Sequence, residues 1–139
     1  MDETLLAAYL ATDFRVRLPQ GGWASLRIGV PPPDALLALT GGAPWGVITA
    51  WNPRSHAMPR EWNRRAQRTL LAELRARADV RGIRAAVGVG AGAWRECSLL
   101  VIGAHEASLR ALCARHDQHA FIAAEGAAPP QLLWTDAPR

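Results

Sequence analysis

Hydrophobic and polar positions follow two periods along this chain, and each predicts its own kind of element. FRVRL (14–18) and WASLRIGV (23–30) alternate apolar with polar or small residues around PQGG, the pattern of a β-hairpin. WGVITAW (45–51) is a continuous apolar run and predicts a buried strand. IRAAVGV (83–89) and CSLLVIGA (97–104) predict two more strands joined by a glycine-rich connection, HAFIAA (119–124) a further one, and QLLWT (131–135) a last edge strand after two prolines. The helical period is clearest over 59–78, where Trp62, Ala66, Leu70 and Leu74 recur every four residues behind Pro59. Shorter helices are predicted over 3–11, after Asp34 as a candidate N-cap with a glycine stop at 41–42, and over 105–116 with Leu109, Leu112 and Cys113 inward.

From 45 to 124 the order is β-α-β-β-α-β, which predicts an α+β fold with a ferredoxin-like core: a mainly antiparallel sheet with two helices on one face. The N-terminal hairpin and the C-terminal edge strand would extend that sheet. A chain of 139 residues, 50% of them apolar, without repeats or a dividing linker, predicts one domain over 1–139.

Charge changes this picture in one place. The chain carries a net +4, and all sixteen basic residues are arginine, a bias that also fits coding composition. From Arg54 to Arg84 nine arginines face only Glu61, Glu73 and Asp79, so this segment holds +6 and the remainder −2. On the long helix Arg60, Arg64 and Arg68 lie four apart with Arg75 near the same stripe, while Glu61 can pair with Arg65 and Glu73 with Arg77. Such a face either tracks a phosphate backbone or is simply solvated. Nucleic acid is therefore a secondary candidate partner.

Other classes recede. The first residues, MDETLLAAYL, lack the basic start of a secretory signal, and no apolar run is long enough for a membrane span. A cytoplasmic protein without membrane association is expected, with Cys97 and Cys113 reduced. His56, His105, His116 and His119 form no metal motif, and no cofactor is expected. GVGAGAW (88–94) lies between strands rather than opening a helix, so it lacks the context of a phosphate loop.

The candidate chemistry gathers where the first central strand ends, in TAWNPRS (49–55). Asn52, Arg54 and Ser55 precede a long helix whose N-terminus favours an anion, and Arg54 adds a planar donor fork. The same residues also suit an ordinary turn. In WRECS, Trp94, Glu96 and Ser98 alternate and should share one face of a strand entrance, as a ligand wall or, with His56 or His119, as acid-base groups. Trp45, Trp51 and Trp62 cluster near the same stretch, as core or as a stacking surface.

TAWNPRS, the Asn63-Arg64 pair, WRECSLLVIG (94–103) and DQHAFI (117–122) together resemble the bacterial domain-of-unknown-function family 3293 over about residues 45–124. The resemblance marks Thr49, Asn52, Pro53, Ser55, Asn63, Arg64, Trp94, Glu96, Ser98 and Gln118. Cys97 stands where the family pattern has proline, and His119 where it has asparagine. The family carries no assigned activity, so the resemblance implies a location and no reaction. The expectation is a pocket for a small anionic ligand built from Asn52, Arg54, Ser55, Arg64, Trp94, Glu96, Ser98 and Gln118. The alternatives are a nucleic-acid-binding accessory protein and an enzyme using Glu96 as acid or base.

Overall fold

In the computed structural model, which describes residues 3–135, the alternating segments pair into one antiparallel sheet. The hairpin of β1 (Asp13–Arg17) and β2 (Trp23–Leu26) sets Phe14 opposite Leu26. The apolar run forms β3 (Pro44–Ile48), and β4 (Gly82–Val89) and β5 (Arg95–Ile102) make a second hairpin whose register runs from Gly82↔Ile102 to Val89↔Arg95. β6 (Ala120–Glu125) and β7 (Gln131–Trp134) complete the order β2-β1-β4-β5-β3-β6-β7. Four helices accompany them: α1 (Glu3–Leu10), α2 (Asp34–Thr40), α3 (Arg60–Arg75) and α4 (Glu106–Arg115).

Because side chains alternate across a strand, the sheet has two apolar faces and needs two covers. Phe14, Val16, Trp45, Val47, Leu100, Ile102 and Ile122 share one, packed by Leu36 of α2 and Tyr9 of α1. Ile48, Leu99, Val101 and Phe121 share the other with Leu70 and Leu74 of α3 and Leu109, Leu112 and Cys113 of α4. His116 Nε2 lies 2.7 Å from Glu73 Oε1, tying the end of α4 to α3. The α+β expectation therefore stands. The sheet, with seven strands and helices against both faces, is wider than the four-stranded, one-sided ferredoxin-like pattern, and its order as a whole differs from it.

Local departures have local causes. α2 is capped by Pro33, not Asp34, whose carboxylate instead occupies the favourable first turn; Gly41, in the left-handed region, ends the helix with its N–H on the Leu37 carbonyl. On α3 the inward stripe begins with buried Asn63 and half-buried Gln67, while Trp62 is 40% exposed. Polar residues win that position because the chain leaving β3 has unpaired backbone groups, and Asn63 and Gln67 satisfy them. Neither expected helix pair forms: Glu61 lies 3.7 Å from Arg64, and Arg77 holds Asp79 at 3.0 Å. No helix among the described residues is long and apolar enough to cross a membrane.

Candidate functional site

The stop in TAWNPRS comes from three residues with positive φ, Asn52 (46°), Arg54 (52°) and Ser55 (61°), around a short 3-10 turn at Pro53–Ser55. This region of backbone space is unfavourable for non-glycine residues, so it persists only where surrounding bonds hold it. Those bonds are present. Asn52 donates its backbone N–H to Asn63 Oδ1 at 2.9 Å, and Asn52 Oδ1 accepts from Asn63 Nδ2 at 2.7 Å and from the Met58 N–H at 3.0 Å. The two asparagines thus clamp the loop to α3. Upstream, Thr49 Oγ1 donates to the Cys97 carbonyl at 2.7 Å and accepts from the Trp51 N–H at 3.0 Å, while the Ala50 N–H reaches Gln67 Oε1 at 2.9 Å. Buried Gln118 donates through Nε2 to the Trp51 and His116 carbonyls.

On the α1 side of the sheet, this loop and the strand ends beside it enclose a cavity of about 350 Å³. Asn52, Ser55, Trp94, Glu96, Ser98 and Gln118 all line it, with Thr49 beside them. Six of the eight residues expected to form a pocket are therefore brought together. The two arginines are not. Arg54 is exposed and pairs outward with Asp117 at 3.3 Å, its backbone N–H bonding the Asp117 carbonyl at 2.7 Å. Arg64 stands exposed on α3, which packs against the opposite face of the sheet from the cavity. Neither His56 nor His119 contributes to the lining, which contains no basic side chain among the described residues.

Alternation along β5 explains the polar wall. Glu96 and Ser98 point the same way as Leu100 and Ile102, toward the α1 and α2 face, so the strand is apolar where covered and polar where the cavity begins. The Glu96 carboxyl has no hydrogen-bond or ion-pair partner among the described residues; Ser98 Oγ makes only a long contact, 3.5 Å, with the Glu96 carbonyl. Burial without compensation disfavours the carboxylate and pushes the Glu96 pKa up to about 7. Tyr9 is raised to about 12, first by burial and then by the negative charge of Glu96.

The glycine-rich connection has a steric purpose here. A Cβ on Gly90 would lie 2.9 Å from Trp94 Cε3, and one on Gly88 would meet Trp94 Cζ3 at 3.4 Å and Phe14 Cε1 at 3.5 Å. The glycines let the indole fold back over the hairpin to the cavity rim, where it stays 45% exposed.

Several lining residues carry no signal in the local motifs. Leu5, Ala8, Tyr9 and Thr12, from α1 and its exit, and Phe14 of β1 close the cavity from outside the motif-bearing region. The alternation of Phe14 with Val16 marks Phe14 as inward, but nothing near Tyr9 indicates that it approaches a residue 87 positions away.

The family model Protein of unknown function (DUF3293) matches residues 48–121. That span holds the clamp, the polar wall and Gln118, and leaves α1 and β1 outside. No curated protein and no solved structure significantly matches the chain.

Proposed function

Since the chain belongs to the family described as Protein of unknown function (DUF3293), its role has to be sought in its own site, and we propose that it binds a small, largely apolar molecule in the cavity beside Glu96. The observation that carries this reading is an unpaired carboxyl facing an otherwise mostly apolar space of about 350 Å³. That volume lies within the ordinary range for ligand pockets, and convergent polar groups in an apolar wall are what fix a ligand's orientation. The anionic ligand expected from the sequence rested on the N-terminus of the long helix with the Arg54 donor fork, and neither Arg54 nor the other expected arginine, Arg64, lines this space. Native mass spectrometry of the gently purified protein tests the reading: a retained small-molecule mass that Trp94→Ala loses supports it, and retention unaffected by substitutions in the lining removes it.

A second reading keeps Glu96 as an acid or base, favoured by a carboxyl whose pKa lies near neutrality in a concave site. It requires a turnover that Glu96→Gln abolishes. The nucleic-acid alternative rests on Arg60, Arg64, Arg68 and Arg75, all exposed on α3, of which Arg64 lies 3.7 Å from Glu61. Oligonucleotide binding that falls steeply with salt supports it, and a flat response eliminates it. We also read 1–139 as one cytoplasmic domain and the central strands β4-β5-β3-β6, with α3 and α4 on one face, as a ferredoxin-like unit to which outer strands are added.

A further inference from the structure

An unpaired carboxyl in a mostly apolar cavity has two ways to lose its charge: it takes up a proton, or it meets a cation. Arginines normally supply the cation, and this chain has sixteen, yet none lines the cavity among the described residues. Among the described residues Tyr9 is the one other titratable group lining it, and as a neutral phenol it cannot neutralise Glu96. Tyr9, Phe14 and Trp94 line the same space, and aromatic faces attract cations as well as apolar groups. Ser98 and Gln118 add oxygens and an amide close by, although the Gln118 amide nitrogen is already engaged with backbone carbonyls.

We propose that the cavity takes a small organic amine, its ammonium group paired with the Glu96 carboxylate and its apolar, ring-sized body held among Tyr9, Phe14 and Trp94. This rests on the pocket reading above and names the chemistry of its ligand. The ammonium group supplies the counter-charge the lining lacks among the described residues, and pairing with a partly buried carboxylate gives a charge-assisted bond. Because only ionised Glu96 can pair, affinity rises as pH increases through the Glu96 titration, as long as the amine keeps its proton.

Three probes of one shape separate the outcomes: 2-phenylethylamine, its neutral counterpart 2-phenylethanol, and phenylacetate, each titrated into the 139-residue chain while NMR follows the Trp94 indole and the Glu96 side chain. The amine should bind roughly tenfold more tightly than the alcohol, phenylacetate should not bind, and Glu96→Gln should erase the preference for the amine. Equal affinity for amine and alcohol, or a preference that survives Glu96→Gln, overturns the amine assignment and leaves the pocket reading standing. Tighter binding of phenylacetate overturns it in favour of an anion. If no probe shifts either signal at millimolar concentration, the pocket reading falls and this inference with it.

Discussion

Replacing Glu96 by glutamine should make the protein more stable at alkaline pH, because the substitution keeps the side chain's shape and removes a charge the fold accommodates badly. Burial moves the carboxyl from its ordinary 4.5 to about 7. A raised carboxyl pKa means the folded state holds its proton more tightly than the unfolded state does. The sign follows: below pH 4.5 both states are protonated and there is no penalty; between 4.5 and about 7 the unfolded chain releases a proton that the folded chain keeps. Wild-type stability therefore falls by about 1.4 kcal/mol per pH unit across this window from this group alone, to a total of about 3 kcal/mol above it. That total is a ceiling, since water entering the cavity solvates the carboxylate. Urea unfolding of wild type and Glu96→Gln at constant ionic strength, from acid to mildly alkaline pH, measures the effect. The two stability curves should meet near pH 4.5 and diverge as pH rises, with the variant the more stable. Parallel curves would refute the reasoning, because they would mean that the Glu96 carboxyl is as well solvated in the fold as in the unfolded chain.

Asn63→Ala should destabilise the protein by about 1–3 kcal/mol, since it strips the partly buried Asn52 N–H of its acceptor and Asn52 Oδ1 of a donor; denaturant unfolding reads this directly. Gly46→Ala should cost at least about 1–3 kcal/mol by the same assay, because its Cβ would lie 2.5 Å from both the Ile122 carbonyl oxygen and Leu109 Cδ1, so that the backbone of the β3–β6 pair must give as well as the Leu109 side chain. Arg54→Ala, by contrast, should change stability by less than about 1 kcal/mol and leave 2-phenylethylamine affinity unaltered, since its exposed ion pair with Asp117 points away from the cavity. A strong loss of affinity there would return Arg54 to the site.

What the sequence by itself determined are features with local causes. Period-two and period-four patterns express the dihedral preferences and burial of neighbouring residues, so the helices and strands fall close to where those patterns place them. Alternation through Trp94, Glu96 and Ser98 likewise put three cavity residues on one side before any fold was known. Tertiary structure decided the rest, because burial and charge environment arise between residues far apart in the chain. Arg54 and Arg64 sit in the motifs beside genuine cavity residues, yet a left-handed loop carries one outward and α3 carries the other to the far side of the sheet. Asn63 and Gln67 look like an ordinary polar helix face until the end of β3 arrives with unpaired backbone groups to satisfy. The raised pKa of Glu96 is the clearest case: the carboxyl is unremarkable in WRECS, and its partial burial arises only in the cavity that residues of α1 and β1 help to line.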